Sequence, residues 1–221
     1  MKNSKILFTF FIMLLFIYVG RSQTPSNPIP YGWKRIYIKD AGFFDMPPTM
    51  EVQTGKYKEY VDHNKKIYGY ETSDLTAQPI GLNDLQQEGV QKYSRIMFRT
   101  EYASPGDFQN LDFDFSELTA SDINEVNEIY KKQSIASLEG TTLKILEWYP
   151  LKFEKINGMS CIHIKYKRQL KDRPHVMVDM YYFHNNDRMH TFTLSYRISE
   201  EALWKSDLQT VLKSFRITEV R

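Results

Sequence analysis

The chain has 221 residues, with 29 Lys and Arg against 27 Asp and Glu. Hydrophobic residues at 42% and aromatics at 14% exclude a disordered polar chain, and a net charge of +2 lacks the concentrated basic field of a general nucleic-acid binder. The single cysteine, Cys161, excludes an internal disulfide framework and every multi-cysteine zinc or iron–sulfur site.

Residues 1–22 have the form of a secretory signal peptide. Lys2 and Lys5 supply the positive start, Ile6–Val19 is the apolar run, and Gly20 and Ser22 are the small residues before a cut after Ser22. The run is shorter than the roughly 20 apolar residues of a spanning helix; the alternative is an uncleaved anchor over residues 6–20. No cysteine lies near the cut, so a lipid-modified N-terminus is not expected. Cleavage removes Lys2, Lys5 and Arg21 and moves the net charge from +2 to −1. A near-neutral surface exerts no long-range pull on phosphates or anionic lipid. The expected location is secreted or periplasmic, where a lone thiol avoids mispairing. Residues 23–32, with Pro25, Pro28 and Pro30, read as an extended spacer. Residues 33–221 read as one domain, with no internal linker or repeat.

Within that domain, strands are expected at Lys34–Ile38 and Phe43–Met46. Tyr57–Asp62 and Ile67–Thr72 read as a hairpin turning at His63–Lys66. A short helical turn is expected at Leu82–Gly89 and a strand at Tyr93–Thr100. Thr119 and Asp122 form a capping-box-like start to a helix. Its apolar stripe is Ile123, Val126, Ile129 and Tyr130, it runs to about Leu138, and Gly140 stops it. Leu143–Tyr149 and Lys152–Ile156 are further strands. Asn157-Gly158 is a strong hairpin signal leading into Cys161–Arg168, where Ile162, Ile164 and Tyr166 share one face and His163, Lys165 and Lys167 the other. Val176–Phe183 is apolar on both faces except at Asp179, as expected of a central strand. His184-Asn185-Asn186-Asp187-Arg188 reads as a hairpin turn joining it to His190–Arg197. After Ser199, carboxylates at Glu200 and Glu201 suit a helix start, and Trp204, Leu208, Val211, Leu212 and Phe215 form a stripe for packing on a sheet. Hairpins dominate this order, so the fold class is α+β: a mainly antiparallel β-sheet with helices packed on it.

The C-terminal stretch resembles a known family. It runs Val178-Asp-Met-Tyr-Tyr-Phe183, a hairpin, Arg188, Thr191-Phe-Thr-Leu-Ser195, then Trp204, Leu208, Val211-Leu212 and Ser214-Phe215-Arg216-Ile217. This resembles the end of PsbP-like domains, in which two strands lead into a terminal helix closing on a Ser-Phe strand. The resemblance covers about forty residues well and the N-terminal half in outline. It implies a PsbP-like α/β/α sandwich, and, because members are mostly binding or assembly modules, a binding role. It carries over no catalytic residue.

Each candidate for chemistry has a plain counterpart. Asp107, Asp112, Asp114 and Glu117 alternate with Phe108, Phe113 and Phe115. Such oxygens suit calcium, but the run lacks the EF-hand pattern and equally fits an edge strand with Phe inward and Asp outward. His184 and His190 flank a turn and would begin a zinc site only with a third ligand. The positions of His163 and His175 relative to each other are not set by the sequence. Ser160 stands outside a nucleophile elbow. Cys161 shares a strand face with His163, the arrangement of a thiolate pair or of a half-buried small residue beside a surface histidine. No phosphate loop or dinucleotide fingerprint occurs, and no cofactor is expected. Tyr57, Tyr60, Tyr68 and Tyr70, set among Lys56, Lys58, Glu59, Asp62, Lys65 and Lys66, are the candidate partner-binding face. The leading expectation is an exported, non-enzymatic binding or assembly module acting on a protein or cell-envelope component. The alternative is a secreted hydrolase or metal-dependent enzyme whose site is assembled from distant residues.

Overall fold

A computed structural model describes residues 28–68, 73–84, 86, 89, 91–111 and 114–221. The expected signal segment, with its alternative anchor, and residues 23–27 of the spacer lie outside these residues. So do Leu85, Gln87 and Glu88 of the turn expected at Leu82–Gly89, and the residues Tyr70, Asp112 and Phe113; Leu82–Asp84 are in a turn.

In chain order the elements are β1 (Lys34–Ile38), β2 (Gly42–Met46), β3 (Met50–Val52), α1 (Gly55–Tyr68), β4 (Leu75–Pro79), β5 (Ser94–Tyr102), α2 (Ala120–Ala136), β6 (Leu143–Trp148), β7 (Lys152–Ile156), β8 (Met159–Leu170), β9 (Val176–Asn185), β10 (Arg188–Arg197), α3 (Glu201–Ser214) and β11 (Arg216–Ile217). The main sheet runs β3-β4-β5-β10-β9-β8-β6, and every pair in it is antiparallel. At twelve residues, β8 is long enough to take two partners on one edge, β7 along Met159–His163 and β6 along Tyr166–Leu170. A second sheet, β1-β2-β11, is also antiparallel. Gly42 permits it: a Cβ there would lie 1.8 Å from the Arg216 carbonyl oxygen.

Strand alternation divides the main sheet into two unlike faces. One carries Ile96 and Phe98, Phe192 and Leu194, and Tyr181 and Phe183 into the main core, where α3 delivers Trp204, Leu208 and Val211. Phe215 follows α3 and stacks on Phe192, with ring centroids 4.3 Å apart. Asn157, at the Asn-Gly turn, donates to the Phe215 carbonyl at 2.6 Å and ties the β7–β8 hairpin to the end of this helix.

The opposite face is covered by α2, and only in part. Thr119 and Asp122 form a complete capping box at its start. Asn127 accepts from the Trp148 indole and the Leu151 amide at 2.9 and 3.0 Å. Val126 and Tyr130 rest against a small cluster of Leu151, Ile162 and Ile164. None of the residues of α2 is buried.

The structure corrects one local expectation. The strand expected at Tyr57–Asp62, the turn expected at His63–Lys66 and the start of the strand expected at Ile67–Thr72 are instead the helix α1; residues 69–72 lie outside the described residues. Tyr57, Val61, Asp62 and Asn64 are half-buried on it, and Tyr57, Val61 and Asn64 are spaced at helical intervals along one stripe. Lys58 pairs with Asp62 one turn on. Tyrosine and valine have high strand propensity, but the period of burial, not propensity, decides. The short strands β3 and β4 carry Gln78 and Pro79 and give little alternation to read.

Candidate functional site

The residues singled out in the sequence are mostly held apart. His184 and His190 occupy opposite faces, because β9 and β10 pair Met189 with His184 and His190 with Phe183. His184 accepts no metal-like company; its Nδ1 lies 3.3 Å from the Gln109 carbonyl. His190 is fully buried, stacked on Phe98, with Nδ1 3.1 Å from Thr100 Oγ1 and Nε2 3.3 Å from Asn185 Nδ2. Asp107 accepts from the Ser104 amide and Asp114 caps a short 3-10 helix by accepting from Ser116. The acidic segment is thus turn and 3-10 helix where described, not an edge strand. Among the described residues, no group of three or more His, Cys, Asp or Glu could hold a metal ion. His175 is exposed. The tyrosines form no single face of a hairpin. Tyr57 is half-buried on α1, Tyr60 is exposed, Tyr68 is the last residue of the helix, and Tyr70 lies outside the described residues.

Nucleophiles fare no better. Cys161 is fully buried in the main core, and burial, with a smaller push from the Glu154 charge, raises its thiol to about 12. Such a thiol stays protonated and unreactive. Ser160 is buried and its hydroxyl has no hydrogen-bond partner, so no base activates it.

His163 sits in a polar cluster that the sequence did not reveal. Its Nδ1 lies 2.5 Å from Glu154 and its Nε2 2.9 Å from Asp179, and the ring stacks on Tyr181 at 4.3 Å. Lys165 binds the same Asp179 at 3.2 Å. Burial alone would lower the imidazole's pKa, but its hydrogen bonds to Asp179 and Glu154 outweigh that and raise it. Hydrogen bonding to His163 holds Glu154 low, and against burial His163 and Lys165 hold Asp179 low. The cluster borders a recess of about 250 Å³ beneath α3. Both ring nitrogens donate to carboxylates, so the imidazolium has no lone pair for a substrate proton. This geometry locks strands β7, β8 and β9 together by charge.

A larger space opens on the other face. Between the C-terminal half of α2 and the sheet lies a groove of about 680 Å³. Its floor is built by strand alternation: Met97 and Arg99 from β5, Thr191 and Thr193 from β10, Met180 and Tyr182 from β9. Its wall is the α2 stretch of Tyr130, Ser134 and Leu138. Phe108 and His184, in edge contact at 5.6 Å, stand at one end. Burial lowers the His184 pKa, which favours its neutral form. The groove mixes thioethers, aromatics and hydroxyls and falls within the roughly 300–1,000 Å³ range of small-ligand pockets. A trace of it exists in the sequence: one face of β5 and β10 reads Met-Arg-Glu and Met-Thr-Thr, too polar for a sealed core and too apolar for a purely wet face.

No family model matches the sequence, and no curated protein matches it. Among solved structures, the chain is similar to the solution structure of cyanobacterial PsbP (CyanoP) from Synechocystis, with a TM-score of 0.50 and 15% identity over 84% of this chain and 92% of that one. A crystal structure from Bacteroides thetaiotaomicron matches at a TM-score of 0.41 and 8% identity, over 79% of this chain and 44% of that one. A protein of unknown function from Pseudomonas aeruginosa matches at 0.29 and 11% identity, over 80% and 94%. The antiparallel sheets, the helices packed on them and the likeness to cyanobacterial PsbP together give this chain a PsbP-like α+β fold.

Proposed function

We propose that this protein is an exported, non-enzymatic binding module that engages a component of the cell envelope through the groove between α2 and the sheet. The carrying observation is the mismatch between helix and sheet. A seventeen-residue helix with none of its residues buried spans one edge of a sheet face and leaves about 680 Å³ of lined space beside it. A helix docked this lightly moves at small cost, which suits a site that must admit a ligand. The export part of the reading rests on Lys2, Lys5, the Ile6–Val19 run and the Gly20/Ser22 pattern. Intact mass of the exported protein is expected to begin at Gln23. A hydrolase reading would call on His163, and both of its nitrogens are engaged by Glu154 and Asp179.

The test uses a photo-cross-linking residue placed at Thr191, on the groove floor, or at Lys213, exposed on α3, in protein exported to its native envelope. An adduct dependent on the Thr191 position and absent at Lys213 is the expected outcome. Equal labelling at both, or none at Thr191, refutes the groove as the contact site.

A further inference from the structure

Just past one end of the groove, three strands bring together a cationic cluster. Tyr93, just ahead of β5, and Arg95 on it alternate with Met97, Ser195 with Thr193 along β10, and Arg168 with Tyr166 along β8. Each is therefore the next side chain on the groove's own face, about 7 Å beyond its lining. Arg168 donates to the Tyr93 hydroxyl at 2.7 Å. The Arg95 and Arg168 guanidiniums lie 5.0 and 5.9 Å from the centre of the same ring. Beside them the Ser195 hydroxyl, 1% exposed, has no hydrogen bond of normal geometry.

The charges here do not balance. Arg197 pairs with Glu200 at 2.8 Å, and Glu200 also accepts from the Tyr93 amide and the Trp204 indole. Arg99 pairs with Glu101 at 3.7 Å farther along the groove. Among the described residues, Arg95 and Arg168 pair with no carboxylate. Burial would raise the Tyr93 phenol, but the charges of Arg168 and then Arg95 outweigh it and leave it below its ordinary value. Two half-buried guanidiniums around one phenol are a standing attraction for an anion.

We propose that the groove holds a single-chain amphiphile with a carboxylate head, a long-chain fatty acid, whose tail lies along Met97, Met180 and Tyr182 and whose head is bound by Arg95 and Arg168 beside Tyr93. The inference rests on the groove being the binding site. Methionine thioethers are adaptable partners for a flexible chain. A planar guanidinium matches a carboxylate in a bidentate fork. The groove's volume suits one chain and is too small for a two-chain lipid.

The test is calorimetric titration of the mature chain with laurate, dodecanol, dodecyltrimethylammonium and dodecyl phosphate. Laurate is expected to bind at least tenfold more tightly than the alcohol or the cation. Arg95→Gln and Arg168→Gln, each checked for folding by near-ultraviolet circular dichroism, should each weaken laurate about tenfold and leave dodecanol unchanged. Thr191→Trp, which fills the groove floor, should abolish both. Laurate no tighter than dodecanol, with both lost in Thr191→Trp, overturns the anion site and leaves the groove standing. Laurate binding that survives Thr191→Trp overturns the groove itself. Dodecyl phosphate tenfold tighter than laurate overturns the carboxylate assignment. No binding by any probe overturns the ligand class.

Discussion

Acidification to pH 4 should destabilise this protein through one buried histidine. His190 is completely buried, and burial, followed by the charge of Arg188, lowers its pKa from 6.5 to about 4. The neutral ring is built into a chain of hydrogen bonds. One proton of the Asn185 amide goes to the Glu219 carbonyl at 2.7 Å, and the other points at His190 Nε2 at 3.3 Å. Nδ1–H then donates to Thr100 Oγ1 at 3.1 Å. Protonation of Nε2 sets two donors face to face and loosens Asn185, whose carbonyl also receives the Arg221 amide at 2.7 Å. The folded pKa lies below the unfolded one, so this stability is present above pH 6.5 and is lost as pH falls toward 4. Each pH unit is worth about 1.4 kcal/mol, and the interval from 6.5 to 4 amounts to about 3 kcal/mol. Urea denaturation of the wild type and of His190→Gln at pH 7, 6, 5 and 4 reads it out. Other titrating groups are common to both proteins and cancel in the difference. The wild type should lose about 3 kcal/mol relative to the variant across this range. A difference constant to within about 0.5 kcal/mol would refute the argument that His190 is buried neutral.

His163 should show the opposite sign. Its folded pKa is raised, so its contribution is full below pH 6.5 and fades as pH rises through the folded value; the stability gap between wild type and His163→Gln should narrow on going from pH 6 to pH 9, and a widening gap would contradict the ion-pair geometry. Trp204, 2% exposed and donating to Glu200 at 3.0 Å, should cost about 3–5 kcal/mol on replacement by Ala, measured by chemical denaturation; a loss below about 1 kcal/mol would mean that α3 does not close the core as described. Cys161, with its thiol pushed up to about 12, should resist an aromatic disulfide reagent at pH 8 in the folded protein and react promptly in urea.

Period-two alternation is a local property, and it made most of the strands legible from residues alone. Lys34–Ile38 and Lys152–Ile156 coincide with β1 and β7, and the runs around Cys161, Val176 and His190 became β8, β9 and β10. The Asn157-Gly158 turn is equally local, since both residues take positive φ, 53° and 87°. So is the capping box at Thr119 and Asp122. Where local signals conflict, composition misleads: a tyrosine-rich run has the propensity of a strand, and only packing along one helical stripe at Tyr57 and Val61 made it α1. Register decided the histidines, because pairing Met189 with His184 places His184 and His190 on opposite faces. The sites themselves depend on contacts between residues far apart in the chain. Tyr93 meets Arg168 across 75 positions, and Glu154 and Asp179 close on His163 from two neighbouring strands. The amphipathic stripe of α2 was plain in the residues, but not how much of the sheet it would cover. That depends on where Asn127 anchors the helix to Trp148 and Leu151, and it is this tertiary placement that leaves the groove open.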